Sequence, residues 1–575
     1  MLLFSLPAVL CLALGVQLAG RMNGVDEFIY VGAVERLNDF VHRWPDTYYA
    51  VRFGYLVPEW LFARVFGADL GYLVLRFAIL GVIATTMRLR GIMRLLPSVF
   101  GTLILVTSPI VLGAAFNTYV ASLGTLFALL GAALLACGSA TTPRSAIRVF
   151  IGGAALALAW NSHFAFLPIC AIIMTVFAVD ELAASRRSDR LRRVWLTTCV
   201  GLGSFATILI GVAVYRWQFQ VSDVFGPTFR QAKQDTNPVF IGSSTDWLAW
   251  RHYLLLGPLA VVVGAITWTT ELDQQRRMVA RRLTAMTFLS LAAFAWFEWV
   301  RNDPLLSIFY YSCLPLALGV LTLAFSLMIV TSRMAPTQQP KFVAVAAISL
   351  LSVLHFASVL KPSYVIVVLG ALVVAAFAIL GARGLPHWQF ISLAIALLAS
   401  SWFTVSSPHD FAGANGAFRV DPYYDHILFE YDLTGIDQLR VAREFAQSLP
   451  TLPANRGEIR VWFDSTGSMN QVISTLVWYR SALQRETDPP MPALSQVVTD
   501  RVTLDRPRYV VVLDDQATDV VSGVEKIQKL APYRIVWVKV FQHGPWTANA
   551  TLLERTDGAW PDFPCLGPAG NSVLC

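Results

Sequence analysis

Long apolar runs separated by short polar loops dominate the first 405 residues of the chain. A bilayer core about 30 Å thick is crossed by roughly 20 apolar residues in a helix, so these runs predict membrane spans. We expect thirteen spans, with eleven as the minimum because the third to sixth are short or crowded. The expected spans are residues 2–19, 71–87, 99–116, 119–137, 147–161, 163–180, 194–215, 253–270, 283–300, 305–330, 342–360, 363–381 and 388–405.

The first run, 2–19, has a second interpretation. It ends in the small residues of Leu18-Ala19-Gly20, which fits a cleaved signal peptide. The charged region that precedes the apolar part of a signal peptide is missing. A membrane span is therefore the favoured interpretation.

The loops between the expected spans fall into two sets by their positive charge. One set carries Lys or Arg in every loop: 87–98, 138–148, 180–193, 269–282, 331–341 and 381–387. The short loops between them carry at most one. Because positively charged loops stay in the cytoplasm, the N-terminus is expected inside. Three larger segments are expected outside: residues 20–70, residues 216–252 and everything after about residue 406.

The composition agrees with a multi-pass membrane protein, since 56% of the residues are hydrophobic and 14% are charged. The net charge of +7 does not indicate nucleic-acid binding, because the basic residues cluster in short loops as membrane topology requires. Lys accounts for few of the 44 basic residues, and this Arg bias is typical of a GC-rich bacterial genome. We therefore expect the inner membrane of a bacterium.

An amphipathic helix is predicted from Val25 to Val41, where apolar residues recur with helical spacing. Such a helix lies in the membrane interface. Its first turn holds the adjacent acids Asp26 and Glu27, and a helix N-terminus favours ionised carboxylates. The pair is a candidate general base, although acids at this position also serve simply to cap a helix.

This order of features resembles the first external loop of the GT-C glycosyltransferases. The resemblance rests on one span, then Asp26-Glu27-Phe28-Ile29-Tyr30, an amphipathic helix, Tyr48-Tyr49, Arg52, Pro58 and a second helix ending at Phe66-Gly67. It is greatest for the branch that holds protein O-mannosyltransferases and the lipid A aminoarabinose transferase. It covers residues 1–110 in detail and extends to about 405 in topology only.

The resemblance implies about thirteen spans and inverting transfer of a sugar from a polyprenyl-phosphate donor. It places the catalytic base on Asp26, with Glu27 as its neighbour. The chain lacks a Trp-Trp-Asp motif, which argues against N-glycosylation, and it lacks a clear Asp-x-Asp motif. A mechanism without a divalent metal or other cofactor is therefore expected. The acceptor, a glycan, a lipid or a protein, stays open.

Positive groups are needed to meet the charge that develops on the leaving phosphate. Each candidate also fits a solvated or snorkelling side chain. Arg76 lies inside a predicted span, where a charge often marks function. The substrate-binding candidates are Tyr30, Arg52, Arg76, Arg216, Arg230, Lys233, Arg251, His252 and Arg301.

Residues 406–575 follow a different pattern, in which helical segments alternate with β-branched runs. This alternation predicts a small extracytoplasmic α/β domain with a mainly parallel sheet, next to a transmembrane domain of residues 1–405. Helices are expected near 436–449, 469–484 and 518–531, and strands near 458–463, 508–513, 534–541 and 548–554. In an oxidising compartment, Cys565 and Cys575 would close a short loop.

Two other function classes remain open. A transporter or lipid flippase would show internal repeats and several ionisable or broken sites within its spans, and only Arg76 and a few prolines fit. A polysaccharide polymerase or ligase would place its key residues in a late external loop, which here is 216–252 with Arg230 and His252.

Overall fold

A computed structural model describes fifteen parts of the chain. They are residues 2–13, 25–88, 95–116, 120–138, 144–183, 189–234, 256–271, 273–300, 309–333, 337, 435–448, 459–462, 507–514, 517–544 and 546–558. The predicted spans 342–360, 363–381 and 388–405 lie outside these residues, so the total of thirteen stays a prediction. Cys565 and Cys575 also lie outside them.

The described residues up to 333 are almost entirely helical. The helices are α1 (Leu2–Ala13), α2 (Val25–Glu35), α3 (Leu37–Arg43), α4 (Phe53–Phe66), α5 (Ala68–Arg88), α6 (Leu95–Thr107), α7 (Pro109–Phe116), α8 (Val120–Ala136), α9 (Arg144–Ser162), α10 (Leu167–Ala183), α11 (Arg190–Gln218), α12 (Gly226–Gln234), α13 (Leu256–Thr270), α14 (Gln274–Val300) and α15 (Phe309–Arg333). A 3-10 turn, Phe164–Phe166, precedes α10.

Five helical segments in the described residues are long and apolar enough to cross a membrane: Ala68–Arg88, Phe164–Ala183, Arg190–Gln218, Gln274–Val300 and Cys313–Arg333. Shorter apolar helices accompany them at Leu95–Val106, Val120–Ala136 and Leu256–Thr270. The long apolar helices identify a membrane protein.

Two predicted helices are each divided in the structure. The predicted span 99–116 is α6 followed by α7, and the second helix begins at Pro109, where the missing N–H and the fixed φ of proline suit a first helical position. The amphipathic helix predicted over 25–41 is α2 followed by α3. Its break is at Arg36, whose φ of −135° is not helical. The apolar stripe itself is buried at Ala33, Leu37 and Val41.

Glycines allow several helices to approach closely. A Cβ at Gly153 of α9 would overlap the carbonyl oxygen of Val200 on α11, and a Cβ at Gly203 of α11 would overlap that of Phe150 on α9. In lipid, where apolar side chains gain little by leaving the solvent, such small-residue seams allow the backbone contacts that hold helices together.

A buried charge network joins three of the arginine-bearing loops. The guanidinium of Arg282, 1% exposed, donates to Asp180 Oδ2 at 2.6 Å and to Glu181 Oε1 at 2.5 Å. It also donates to the carbonyl oxygens of Leu135 at 3.1 Å and Gly138 at 2.6 Å. These contacts place the ends of α8, α10 and α14 at one end of the helix bundle.

The described residues near the C-terminus form α16 (Gly435–Ser448), β1 (Ile459–Trp462), β2 (Tyr509–Asp514), α17 (Ala517–Leu530), β3 (Tyr533–His543) and β4 (Trp546–Arg555). The strand order is β1-β2-β4-β3. Only β1 and β2 are parallel; β4 is antiparallel to both β2 and β3. The expectation of a mainly parallel sheet is therefore wrong for the described strands.

The physical reason is the tight hairpin between β3 and β4. His543 pairs with Trp546 across the turn, and Gly544 has a φ of +52°, the left-handed conformation that two-residue hairpin turns require. Helix α17 covers one face of the sheet and packs on Val510, Val512 and Leu553.

Candidate functional site

The acidic pair lies at the N-terminus of α2. Asp26 and Glu27 follow Val25, the first residue of this helix, although their side chains lie outside the part that the structure describes. Position 26 is four residues before Tyr30, so the two positions share one face of the helix. The described residues around Tyr30 therefore lie on and beside the helix that carries the candidate base.

Tyr30 belongs to an aromatic cluster that holds Arg52. Its ring is fully buried and lies 5.5 Å from the ring of Tyr49 and 5.7 Å from that of Tyr55. The guanidinium carbon of Arg52 is 4.6 Å from the ring centre of Tyr48 and 5.4 Å from that of Tyr30. Arg52 is 9% exposed. The structure thus brings two of the predicted substrate-binding residues, Tyr30 and Arg52, together.

His163 joins this cluster and is a residue that sequence reasoning missed. It lies between α9 and the 3-10 turn, is 5% exposed, and is within electrostatic reach of Arg52. The approach depends on Gly54, because a Cβ there would overlap the carbonyl oxygen of Leu158 and crowd the backbone nitrogen of Ser162. Glycine at the start of α4 therefore allows Arg52 to lie beside the end of α9.

Arg76, the charge predicted inside a span, is fully buried in a polar network between α4 and α5. Its Nη1 donates to Glu59 Oε1, its Nε donates to the carbonyl oxygen of Ala115 at 2.8 Å, and its Nη2 donates to Ser122 Oγ at 3.2 Å. The guanidinium carbon lies 3.4 Å from the ring centre of Tyr72. Glu59, on α4, is the partner that the sequence did not identify.

Burial has electrostatic consequences for the residues of α4. Loss of solvent raises the pKa of Glu59, while the guanidinium of Arg76 acts in the opposite direction. Burial also raises the pKa of Tyr55, and the charge of Glu59 adds to this rise. Burial alone would favour the protonated form of Glu59, and the charge of Arg76 favours the ionised form.

A cavity of about 30 Å³ lies beside Glu59 and Tyr55. It has room for a few water molecules and is too small for a sugar ring. It is lined by residues of α2, α4, α5 and α16, namely Val31, Val34, Glu35, Tyr55, Glu59, Ala68, Asp69, Tyr72, Leu439 and Arg443.

The other basic candidates are less enclosed. Arg216 is exposed at the end of α11, and Arg230 on α12 is exposed and lies 3.6 Å from Asp223. Asp223 also accepts a hydrogen bond from the backbone of Gly226 at 2.7 Å, at the start of α12. Lys233 falls within α12, but its side chain lies outside the described residues. Arg251, His252 and Arg301 lie outside them entirely.

Among the residues that the structure describes, no group of three or more His, Cys, Asp or Glu side chains is placed to hold a metal ion.

No protein-family model matches the sequence, and no curated protein matches it. Solved structures do. A crystal structure of ArnT from Cupriavidus metallidurans in the apo state matches with a TM-score of 0.50 and 14% identity, covering 95% of this chain and 97% of that chain. The chain is similar in fold to ArnT. A second ArnT structure from the same organism, bound to undecaprenyl phosphate, matches with a TM-score of 0.50 and 13% identity over 98% of this chain and 99% of that one.

ArnT is a lipid A aminoarabinose transferase of the GT-C class, so the resemblance expected from the first external loop is confirmed at the level of fold. The match with ArnT spans nearly the whole of both chains.

Proposed function

We propose that this chain is a membrane glycosyltransferase that moves a sugar from a polyprenyl-phosphate donor to an extracytoplasmic acceptor, with inversion at the anomeric carbon. The observation that carries the proposal is the fold likeness to ArnT over almost the entire chain, including an ArnT structure bound to undecaprenyl phosphate. The acidic pair at the start of α2 supplies the chemistry that such a fold needs.

Asp26 is the proposed general base, with Glu27 as its neighbour. Its carboxylate takes the proton of an acceptor hydroxyl while that oxygen attacks the anomeric carbon. The bond from this carbon to the donor phosphate breaks, and the polyprenyl phosphate leaves with the electron pair. General-base assistance of this kind contributes about 10²- to 10⁴-fold in rate.

Arg52 is our first candidate to meet the phosphate charge. It is a nearly buried cation beside Tyr30, on the helix that carries Asp26, and preorganised cations in sites shielded from water stabilise developing charge most effectively. Tyr30 and His163 complete this proposed pocket. Further substrate contacts are proposed for the external residues Arg216, Arg230, Lys233, Arg251, His252 and Arg301.

We assign Arg76 a different role within this proposal. Its charge is matched by Glu59 and its other donors meet the Ala115 carbonyl and Ser122. It braces α5 against α4, which carries Tyr55 next to Tyr30.

The decisive experiment follows sugar transfer from a radiolabelled polyprenyl-phosphate donor by the purified chain and its Asp26→Asn variant. Asn keeps the shape of the side chain and removes the base, so transfer should fall by at least about 10²-fold. Glu27→Gln should cost less. An active Asp26→Asn enzyme would place the base elsewhere.

Three further arms test the mechanism and the alternatives. Chelator should leave transfer unchanged, because two adjacent carboxylates provide too few oxygen ligands for a Mg²⁺ site. Use of a nucleotide sugar in place of the lipid donor would refute the assignment to this class of enzyme. Uptake of an intact solute or lipid without transfer would favour a transporter.

A further inference from the structure

Helix α16, near the C-terminus, contacts the helices of the candidate site, and Arg443 makes the charged part of this contact. Arg443 of α16 donates to Glu35 Oε1 through Nε at 2.9 Å and through Nη2 at 2.6 Å. Its Nη1 donates to Asp69 Oδ1 at 2.8 Å. One guanidinium therefore bridges two carboxylates that lie more than 360 residues before it in the sequence.

The two carboxylates belong to two different helices. Glu35 is the last residue of α2, whose first turn holds Asp26, and Asp69 lies in the first turn of α5, which carries Arg76. A helix of eleven residues is about 16 Å long and moves as a rigid unit. A contact at Glu35 therefore constrains the position of the candidate base at the other end of α2.

The small cavity lies between the same elements. Leu439 and Arg443 of α16 line it together with Val34 of α2 and Asp69 of α5. The space holds only a few water molecules, and it lies where α16 meets α2, α4 and α5.

We infer that Arg443 is a positioning residue that fixes α2 against α5 and so sets the place of Asp26 for the transfer reaction. The inference rests on the proposed function. The inference extends the proposed function, because it gives α16 a role in catalysis without contact to the substrate.

The geometry favours arginine at this position. The planar guanidinium presents separate N–H groups to two carboxylates, whereas the compact ammonium of lysine cannot match that fork. The side chains of Arg443 and Glu35 are 21% and 18% exposed, so the charges are only partly screened by water. Without the guanidinium, Glu35 and Asp69 would be left as two like charges beside each other.

The test uses the full chain in nanodiscs and compares Arg443→Ala and Arg443→Lys with Arg440→Ala. Arg440 is a matched control, because it is exposed on the same helix and pairs with Asp437, three residues before it, at 3.2 Å. Arg443→Ala should lower kcat by roughly 10- to 100-fold, the range expected from a misplaced catalytic group, with little change in the KM for the donor. Arg443→Lys should recover part of the loss, and Arg440→Ala should match the wild type.

Amide hydrogen exchange in residues 25–35 gives a readout that does not depend on activity. Arg443→Ala and Glu35→Gln should each speed exchange in α2, and the double variant should add little to either one because both break the same contact. If Arg443→Ala aggregates, Glu35→Gln and Arg443→Lys make the same comparison with smaller changes.

Two outcomes are decisive. The inference is refuted if Arg443→Ala and Glu35→Gln show the same exchange and the same kcat as Arg440→Ala. That result would leave the proposed function intact. Faster exchange in α2 together with full activity of Asp26→Asn would instead refute the proposed base, and the contact would remain as a structural one only.

Discussion

At the scale of single residues, Arg52 illustrates how a cation is kept in a nearly water-free position. Its guanidinium lies against the rings of Tyr48 and Tyr30, and guanidinium is hydrated more weakly than ammonium. Attraction to the ring faces offsets part of the cost of burial. In the proposed function, this arrangement holds the charge in place for the donor phosphate.

Replacing Arg52 should therefore impair the use of the lipid donor. We expect Arg52→Ala to lower kcat/KM by about 10²- to 10³-fold, the usual cost of losing one preorganised donor to developing charge. Arg52→Lys should lose less, because it keeps the charge but not the planar stacking. Transfer rates over a range of donor concentrations measure both effects.

Arg64→Ala is the matched control for these variants. Arg64 also stacks on an aromatic ring, that of Trp60 at 4.7 Å, but it is exposed near the end of α4. If Arg64→Ala and Arg52→Ala reduce transfer equally, Arg52 has no special role.

The sequence identifies some residues of this cluster and not others. Tyr30 and Arg52 could be named because both belong to a short motif that resembles a known external loop. His163 could not be named, because a lone histidine at the end of a predicted span shows no spacing that links it to Arg52. Its place depends on the close approach at Gly54, which is a property of the tertiary fold.

At the scale of elements, the pair of Glu59 and Arg76 joins α4 to α5. A buried charge in a span requires a partner, and the sequence contained that signal at Arg76. The partner could not be chosen, because Glu59 lies on a different helix and no helical period relates the two positions. The structure makes α4 part of the buried core, with Phe53, Tyr55 and Leu56 almost fully covered.

Breaking the pair should destabilise the protein more than removing both charges. Arg76→Met leaves the buried Glu59 carboxylate without its cation, and losses of this kind are about 3–5 kcal/mol. The double variant Glu59→Gln with Arg76→Met should recover much of the stability. Thermal unfolding in detergent measures both, and a double variant no more stable than Arg76→Met would contradict the pairing argument.

At the scale of the whole molecule, the charge pattern of the loops predicts which segments share a side of the membrane. Arg282 meets Asp180, Glu181 and the carbonyl oxygen of Gly138, so loops that the sequence assigns to the cytoplasm lie together. The sequence does not indicate the contact between α16 and α2. Arg443 is one of several charged residues on an amphipathic helix, and nothing in its spacing relates it to Glu35.

The orientation itself is directly testable. A tag after Cys575 should be accessible from outside the cytoplasm, and a tag in 180–193 should not be, because the arginines of that loop keep it inside. Protease treatment of spheroplasts distinguishes the two tags. A protected C-terminal tag would overturn the orientation and, with it, an extracytoplasmic reaction.

The close contact between α9 and α11 lies on a helix that ends beside the candidate site. Gly153 lies nine residues before Ser162, the last residue of α9 and the neighbour of His163, a distance of about 14 Å along the helix. A tilt of about 4° at the seam would displace that end by about 1 Å, enough to disturb a catalytic arrangement. A methyl group added at Gly153 or Gly203 would therefore shift the residues around Arg52. On the proposed function, a change at this seam would therefore alter the reaction without replacing any proposed substrate-binding residue.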